Sequence, residues 1–369
     1  MPGPEDRRSE WREGREPRAP DLATVLHWYD QHGRHDLPWQ HPRTPYRVWL
    51  AEIMLQQTQV QTVLPYYARF LTALPSLTAL AAAEHDQVMA LWSGLGYYAR
   101  GRNLHAAAKR CVEVHNGELP DEFEALANLP GIGRSTAGAI LAQAHGQRHA
   151  ILDGNVKRVL CRYHGVHGWP GTGSVEKQLW ILAESHLATA RLADYSQALM
   201  DFGATLCTRS DPACVLCPLQ DDCVARIEGL TAVLPESKPG KPLPTRRCVL
   251  LIARDTQDRV LLLRRPPVGV WSGLWSLPET PDHDSARAWM AMHFESDFDH
   301  AESHPELEHV FSHYRLRAEP LLWRGARERA RIADRIAEQD QELRWFTRDD
   351  LAATGLPAPI RKLLTSLVD

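Results

Sequence analysis

Four of the chain's seven cysteines lie in one short run with the spacing C-x6-C-x2-C-x5-C: Cys207, Cys214, Cys217 and Cys223. Four thiolates on one loop favour a metal or cluster site over a disulfide framework, because thiolates are soft ligands that select zinc, copper(I) or iron–sulfur clusters. Zinc sites usually combine two tight cysteine pairs, whereas only one pair is tight here. The spacing therefore favours a cube-shaped cluster, with a zinc site or buried structural cysteines as alternatives.

The remaining cysteines, Cys111, Cys161 and Cys248, are scattered singly along the chain. Isolated cysteines of this kind are most often small buried apolar side chains, and we expect that of these three. Together with a thiolate site, they indicate a reducing interior as the protein's surroundings.

Length and composition indicate a globular protein with two domains. The 369 residues can form two separate cores, and 44% hydrophobic with 24% charged residues is close to average usage. The net charge of −4 argues against broad nucleic-acid affinity, so DNA binding would have to rest on local patches and backbone amides. Residues 1–20 are charged and contain prolines, which predicts a disordered tail and not a secretory signal.

The apolar pattern over residues 21–229 is helical, as Leu22, Val25, Leu26 and Tyr29 show at its start. We expect prolines to divide this part into short helices. These prolines are Pro38, Pro45, Pro65, Pro75, Pro120 and Pro130. Residues 230–247 are rich in proline and lysine and lack periodicity, which predicts a linker.

Residues 248–369 carry a different pattern, dominated by β-preferring runs. CVLLIAR (248–254) and RVLLLRR (259–265) predict two strands joined by the turn-like DTQD. A helix over Asp284–His293, a strand pair over His309–Trp323 and a final helix from Ala358 complete the expectation. The predicted fold class is therefore an all-α domain followed by an α+β domain.

Glu52 is the one charge in an apolar helical run, Val48–Leu55. A carboxyl group on such a helix is expected to be partly desolvated, which raises its pKa and suits it to act as a general acid near neutral pH. The alternative is a solvent-facing glutamate on an amphipathic helix.

Asp153 precedes a second helical segment, in Ile151–Arg158. An aspartate in this position is a favoured N-cap that accepts hydrogen bonds from free backbone N–H groups. The same donors are expected to keep it ionised, as a nucleophile or a stabiliser of a cation must be. One protonated and one ionised carboxyl group is the arrangement that cleaves a glycosidic bond.

The segment Leu129–Ala137 joins two helical segments through Gly131 and Gly133, which both allow positive φ. The following helix begins with free N–H groups and the positive end of its dipole, so the hairpin can bind a phosphate without basic side chains. A helix–turn–helix packing corner is the alternative interpretation.

Together these segments resemble the helix-hairpin-helix DNA glycosylase superfamily, and specifically its MutY-type adenine DNA glycosylases. The resemblance runs from about Asp21 to the C-terminus. Its most specific stretches are Leu37–Trp39, Glu52–Gln59, Gly94–Arg100, the hairpin, Leu152–Val156 and the cysteine loop. In that family, adenine mispaired with 8-oxoguanine is flipped out of double-stranded DNA and excised, so the resemblance implies DNA repair.

The resemblance implies a role for each matching residue. Glu52 would protonate the adenine ring and Asp153 would stabilise or transiently bond the sugar cation, with support from Asn155. Gln57 and Tyr97 resemble residues wedged into the base stack, where an amide and an aromatic ring suit the task. Leu37 and Trp39 resemble part of the adenine pocket, Gly131, Gly133 and Ser135 belong to the DNA-binding hairpin, and the four clustered cysteines would hold a [4Fe–4S] cluster. Without the family, Trp39 and Tyr97 could equally be core aromatic residues, and Gln57 a surface helix residue.

Ser135 distinguishes this chain from the strand-cutting pyrimidine glycosylases of the superfamily, which carry a lysine at that position as Schiff-base nucleophile. A hydroxyl group cannot form an imine, so a monofunctional glycosylase is expected, with little or no lyase activity. Some MutY-type enzymes have tyrosine at this position, and here the family's pattern is not followed.

The C-terminal domain, residues 248–369, begins like a Nudix box with Gly273-x5-Glu279-x7-Arg287. The box then continues with Ala288–Met292, which contains none of the carboxylates that magnesium requires, so pyrophosphate hydrolysis is not expected. The resemblance implies that this degenerate Nudix-like domain recognises 8-oxoguanine through Phe311, Ser312 and His313. A strand end with a solvent-facing histidine is the plainer alternative.

The leading hypothesis is therefore a monofunctional glycosylase acting on adenine opposite 8-oxoguanine, and opposite guanine. The alternatives are a bifunctional glycosylase/lyase, a non-catalytic cluster-bearing DNA-binding or redox protein, and a nucleotide pyrophosphohydrolase. No apolar stretch in the sequence is long enough to span a bilayer and no oligomerisation signal is visible, so we expect a monomer in the nucleoid-containing cytoplasm.

Overall fold

The computed structural model describes residues 22–240, 242–295, 301–327 and 342–367. The tail predicted for residues 1–20 lies outside the described residues. The described residues divide into two compact units, one within 22–56 and 118–240, and the other within 57–117 and the described part of 242–367. Within the described ranges, no helix is both long enough and apolar enough to cross a membrane.

Residues 22–229 are helical, as the sequence predicts. The α-helices are α1 (Leu22–His32), α2 (Pro45–Leu55), α3 (Val60–Ala73), α4 (Leu77–Ala82), α5 (His85–Trp92), α6 (Ala99–Val114), α7 (Phe123–Ala127), α8 (Arg134–His145), α9 (Gly154–His164), α10 (Gly173–Ser185), α11 (Leu192–Asp201) and α12 (Val224–Ile227). A π-helical turn over Phe202–Leu206 extends α11 directly, and a 3₁₀ turn over Cys214–Leu216 lies in the cysteine loop.

Local sequence accounts for some helix ends, such as the start of α2. Thr44 caps α2 by accepting a hydrogen bond from Arg47 N at 3.4 Å, and Pro45 occupies the first turn, where it removes no needed donor. The prediction that Pro65 ends a helix was wrong, because Pro65 lies inside α3. Pro65 and Gln61, whose carbonyl loses its backbone donor, are both exposed, so that carbonyl is accessible to water.

The core of the first unit forms where α1, α9, α11 and the π-helical turn pack together. Its side chains include Trp28, Tyr163 and Phe202, with partly buried cysteines of the loop against them. Asp201 is fully buried at the end of α11 and accepts hydrogen bonds from Arg34 Nε at 2.9 Å and Gln197 Nε2 at 2.7 Å. These bonds tie the segment after α1 to the end of α11.

The second unit contains α3 to α6 and the strands of the C-terminal half. The strands are β1 (Thr245–Ala253), β2 (Val260–Arg264), β3 (Trp275–Ser276), β4 (Glu279–Thr280), β5 (Glu302–Ser303), β6 (Leu307–Val310), β7 (Arg315–Trp323) and β8 (Leu343–Phe346). The helices are α13 (His283–His293), α14 (Arg348–Ala353) and α15 (Ala358–Ser366). The two predicted strand runs, the strand pair and both predicted helices are confirmed.

The strands form two small sheets. One has the order β4-β1-β7-β5 with β6 also paired to β7, and the other has the order β3-β2-β8. The long pair is parallel and runs from Thr245 opposite Arg315 to Ala253 opposite Trp323. Because this register begins at Thr245, β1 starts inside the stretch interpreted as linker. Helix α13 covers the sheet through Ala286 and Met290, which are fully buried.

Candidate functional site

Glu52 lies on α2, whose other side chains are largely buried. Its Oε1 accepts a hydrogen bond from Gln143 Nε2 of α8 at 2.8 Å, and Gln143 is itself buried. Burial raises the pKa of Glu52 to about 7, against the stabilising effect of Gln143 on the carboxylate, and the charge of Asp153 raises it further. The prediction of a desolvated carboxyl group is confirmed, and the solvent-facing alternative is wrong.

Asp153 is the N-cap of α9, as predicted. Its Oδ1 accepts from Val156 N at 2.8 Å and its Oδ2 accepts from Asn155 Nδ2 at 3.2 Å. Burial raises the pKa of Asp153. The two hydrogen-bond donors and the charge of Arg158 lower it, but by less, so the net pKa lies above its ordinary value. The donors therefore do not bring the pKa of Asp153 below its ordinary value, because desolvation of a nearly enclosed carboxylate outweighs these hydrogen bonds; that Asp153 is ionised stays a prediction.

Asn155 is held on both sides of its amide. While its Nδ2 donates to Asp153, its Oδ1 accepts from Arg158 Nη2 at 2.8 Å. Arg158 also donates to Gly203 O at 2.7 Å and to Cys207 O at 2.8 Å. A Cβ added to Gly203 would lie 2.6 Å from Asn155 Cβ, so a glycine is required for this close approach.

The hairpin before α8 has the predicted form at one glycine and not at the other. Gly131 has φ of 79°, whereas Gly133 has φ of −95° and serves as the N-cap of α8 without a capping side chain. Of the two glycines expected to allow positive φ, only Gly131 adopts it. At Gly133 the lack of a side chain instead leaves open space, because an added Cβ would meet no atom within 4 Å. Ser135 Oγ accepts from Leu152 N at 2.9 Å, which fixes the backbone just before Asp153.

The two residues expected at the adenine pocket are both buried in the first unit. Leu37 is 6% exposed and Trp39 is 2% exposed. This burial fits the core-aromatic interpretation of Trp39 as well as an inner wall of a pocket, and so the expected contact with adenine stays a prediction.

The four clustered cysteines are partly buried and line one cavity. Arg162 lies across it and donates to Cys207 Sγ at 3.4 Å and to Thr208 O at 2.6 Å. Burial raises the pKa of Cys217 to about 12, and the neighbouring cysteines add to this. Within the described residues, no three histidine, cysteine or carboxylate side chains are grouped so as to hold a single metal ion.

The three isolated cysteines are buried, as predicted. Cys111 and Cys161 are fully enclosed and Cys248 is 5% exposed. Burial raises the pKa of each thiol to about 11. They therefore behave as small apolar side chains of the two cores.

Gln57 and Tyr97 share an unusual backbone conformation in the second unit. Gln57 has φ of 59° and Tyr97 has φ of 47°, both in the left-handed region that side-chain-bearing residues seldom adopt. Tyr97 is 55% exposed, which excludes the interpretation as a core aromatic residue. Gln57 is also exposed and follows the end of α2, so it is not a helix residue.

The loop that contains Phe311, Ser312 and His313 is a tight turn after β6. Phe311 N donates to Tyr314 O at 2.9 Å, and Ser312 and His313 are exposed. The ring of Phe311 packs edge-on against Trp271 with the ring centres 5.3 Å apart. The loop thus exposes a hydroxyl group and an imidazole to solvent, while the ring of Phe311 packs against Trp271.

The vestigial Nudix box cannot hold magnesium in the usual way. Its first glutamate, Glu279, pairs with Arg246 at 2.7 Å and with Arg265 at 3.1 Å. Burial alone would raise the pKa of Glu279, but the two guanidinium groups outweigh it and hold the pKa below its ordinary value. Helix α13 supplies Ala288–Met292 where metal-binding glutamates would stand, and Met290 is buried in the core. These contacts argue against a pyrophosphohydrolase.

Comparison with known proteins identifies both parts of the chain. Residues 50–185 match the helix-hairpin-helix superfamily of base excision DNA repair proteins (HhH-GPD), and residues 248–366 match the NUDIX domain family. The adenine DNA glycosylase of Buchnera aphidicola subsp. Acyrthosiphon pisum (strain APS) is 36% identical over 92% of this chain and 95% of its own length. The chain belongs to the adenine DNA glycosylase family.

Two further relatives agree with this membership. The human adenine DNA glycosylase is 35% identical over 80% of this chain and 65% of its own length. A thermostable thymine-DNA glycosylase has a similar structure, with a TM-score of 0.51, 28% identity, and coverage of 56% of this chain and 95% of its own. The fold class predicted from sequence, helical followed by Nudix-like, is confirmed.

Three residues that contact the predicted site residues in this adenine DNA glycosylase were not predicted from sequence: Gln143, Gly203 and Arg158. Gln143 and Gly203 gave no signal, because a buried amide and a required glycine depend on which helix packs beside them. Arg158 gave a weak one, since it follows Asn155 by three residues and so shares its helix face.

Proposed function

We propose that the chain is a monofunctional adenine DNA glycosylase that removes adenine paired with 8-oxoguanine, and with guanine, from double-stranded DNA. Family membership supports adenine as the excised base and cleavage of its glycosidic bond as the reaction. The choice of partner base rests on the exposed loop of the Nudix-like domain and on the resemblance to MutY-type enzymes.

The observation that carries the proposal is the unequal hydrogen bonding of the two carboxyl groups. Glu52 receives one neutral amide donor, from Gln143, whereas Asp153 receives donors from Val156 and Asn155 and the field of Arg158. Both carboxyl groups are desolvated, and the charge of Asp153 raises the proton affinity of Glu52. The proton that the pair retains near neutral pH therefore belongs on Glu52, because its carboxylate form has the weaker support.

This asymmetry gives the order of events. Glu52 donates its proton to the adenine ring, the bond between sugar carbon and adenine nitrogen breaks, and its electron pair leaves with the base. Asp153 stabilises the resulting sugar cation or bonds it transiently, and Asn155 keeps the carboxylate aimed. The Glu52 carboxylate then accepts a proton from the water that adds to the sugar, which leaves free adenine and an abasic site. A positioned acid contributes about 10²–10⁴-fold to such a step.

Ser135 supports the absence of lyase chemistry. Its oxygen accepts a backbone hydrogen bond from Leu152 and has no amine with which to form an imine. We therefore infer that Ser135 supports the backbone that presents Asp153, and that the abasic strand is left intact.

Backbone groups and wedge residues are proposed to hold the DNA. Gly133 opens the N-terminus of α8 to a phosphate, and Gly131 makes the turn that precedes it. The exposed Gln57 and Tyr97 are proposed to enter the base stack beside the flipped nucleotide, where flipping costs least for a mispaired base. Leu37 and Trp39 are proposed as the inner apolar wall of the adenine pocket.

The loop of Phe311, Ser312 and His313 is proposed to read the base opposite adenine. The exposed hydroxyl and imidazole can form hydrogen bonds with the base edges of 8-oxoguanine. Phe311 anchors the loop by packing against Trp271. The Nudix-like fold is then used for recognition without hydrolysis.

Cys207, Cys214, Cys217 and Cys223 are proposed to hold a [4Fe–4S] cluster. The donor set fits, since all four sulfurs line one cavity, none is in a disulfide, and thiolates are the ligands such clusters use. When bound, the cluster orders the loop that carries them. Purified protein should show the broad visible absorption of an iron–sulfur cluster with matching iron and sulfide; zinc in its place would contradict the assignment.

We propose the organisation expected from sequence, with glycosylase domain 21–229, cluster loop 207–223 and recognition domain 248–369. The linker expected over 230–247 is shorter at its end, because β1 begins at Thr245. We propose a monomer that acts on chromosomal DNA in the nucleoid-containing cytoplasm. Sedimentation of the free protein and of its complex with one duplex tests the stoichiometry.

The decisive experiment is a single-turnover assay on an end-labelled duplex with one adenine opposite 8-oxoguanine, scored with and without hot alkali. Strand cleavage that requires alkali is the expected result. Cleavage without alkali would show a lyase nucleophile, and tight binding without cleavage would place the chain among non-catalytic DNA-binding proteins.

A further inference from the structure

The side chain of Arg100 contacts the two segments that carry Gln57 and Tyr97. Arg100 is on α6 in the second unit and is only 8% exposed, although it is a long cationic side chain. Burial lowers its pKa to about 10, so the guanidinium group stays charged at neutral pH. A buried charge in this place requires an explanation in terms of its contacts.

One nitrogen of Arg100 joins both segments. Its Nη2 donates to Thr58 Oγ1 at 3.1 Å, directly after Gln57, and to Gly96 O at 3.2 Å, directly before Tyr97. Gly96 O also accepts from Trp92 Nε1 at 3.1 Å, which fixes the carbonyl from a second side.

The guanidinium plane makes a second kind of contact. It lies over the ring of Tyr97 at 5.3 Å and over the ring of Trp92 at 5.5 Å. A flat cation can stack on rings and donate from its edge at once, whereas the ammonium group of a lysine cannot do both.

Both joined segments are strained at the residues beside the contact. Gln57 and Tyr97 have positive φ, a conformation that persists only when the surroundings hold it in place. We propose that Arg100 is a positioning residue that holds Gln57 and Tyr97 in these conformations, so that both side chains enter a DNA duplex as one preformed wedge. This inference rests on the proposed function, which assigns those two side chains to the base stack.

The test measures unstacking separately from chemistry. 2-Aminopurine replaces the adenine opposite 8-oxoguanine in a duplex, and its fluorescence rises when it leaves the stack. The protein is the full chain with Glu52→Gln, so that excision does not compete. Arg100→Lys should lower the unstacked fraction per bound enzyme about tenfold, because the charge stays but the bridge is lost.

Two further variants complete the design. Thr58→Val removes one arm of the bridge and should lower the fraction about threefold while the protein stays folded. Arg110→Lys makes the same exchange at an exposed position of α6 and should change nothing. Circular dichroism establishes folding, and Thr58→Val decides the question if Arg100→Lys does not fold.

A wild-type unstacked fraction in folded Arg100→Lys, or in Thr58→Val where the first does not fold, would overturn the inference and make Arg100 a merely structural residue. Failure of the proposed function looks different: the chain with its native Glu52 would then release no adenine from the unmodified mispair.

Discussion

Glu52 and Glu279 are the same residue type in two regions of one chain, and their surroundings drive them in opposite directions. Glu52 in the helical region is desolvated with one amide donor, and its pKa rises to about 7. Glu279 in the Nudix-like region is also desolvated, yet Arg265 and Arg246 bring its pKa below the ordinary value.

The difference shows that partners, more than burial, decide what a buried carboxyl group can do. A group with a pKa near the working pH can donate a proton, whereas one neutralised by two arginines is fixed as a carboxylate and links strands. In the proposed function the carboxyl group of Glu52 donates a proton, whereas Glu279 in the Nudix-like region forms ion pairs with Arg246 and Arg265.

The largest effect on the rate of adenine release should come from replacing Glu52 with glutamine. Glu52→Gln should lower the single-turnover rate of adenine release by about 10²–10⁴-fold while duplex affinity is kept, because only the proton donor is lost. Glu279→Gln is the matched control and should leave the rate within about twofold, since it removes an ion pair and no proton donor. Equal rates for Glu52→Gln and wild type would remove Glu52 from the mechanism.

The next effect concerns stability as a function of pH. The folded chain binds a proton at Glu52 more tightly than the unfolded chain, so this group's contribution falls as pH rises from 4.5 to about 7, by at most roughly 3 kcal/mol. Glu52→Gln should therefore be more stable than wild type at pH 8 and similar at pH 4.

Glu279 should show the opposite sign, because its folded pKa is lowered: its contribution is present above the unfolded pKa and is lost as pH falls through the folded one. Glu279→Gln should be less stable at pH 8, by about 2 kcal/mol. Urea unfolding of the three proteins at both pH values measures this, and parallel shifts for both variants would contradict the comparison.

A smaller effect should follow from Gly203→Ala, which tests how closely the helical site is fitted. The added Cβ would stand 2.6 Å from Asn155 Cβ, and relief of this overlap should cost about 2 kcal/mol of stability and lower the rate of adenine release. Gly173→Ala is the control, since its Cβ would meet no atom within 4 Å. Thermal unfolding and single-turnover rates are compared, and equal behaviour of the two variants would show that the site tolerates displacement of Asn155.

The smallest effect is expected for the proposed recognition of 8-oxoguanine by the Nudix-like region. Replacing Ser312 and His313 together with alanine should reduce the preference for 8-oxoguanine over guanine about tenfold, with less change in the rate on the guanine mispair. The ratio of the two single-turnover rates is the measurement. A ratio equal to that of wild type would assign recognition to another part of the chain.

The features of the fold and the site that could be predicted from sequence are those determined by neighbouring residues in the chain. Helix periodicity, the Asp153 cap and the strand runs follow from neighbours along the chain, and the structure confirms them. The two-residue strands β3, β4 and β5 could not be predicted, because they are defined by their partners more than by their own residues. The net pKa of Asp153 could not be predicted either, since desolvation depends on what packs around the cap.

The distribution of the seven cysteines has a practical consequence. Cys111, Cys161 and Cys248 are enclosed in the cores, whereas the four loop cysteines are partly exposed. A thiol-alkylating reagent applied to the native chain without chelation should therefore add four labels where the loop is empty and none where its thiolates are bound, and the remaining three cysteines should react only after denaturation. Mass spectrometry of intact protein then counts loop occupancy molecule by molecule, so a preparation can be graded before its activity is compared with that of any variant.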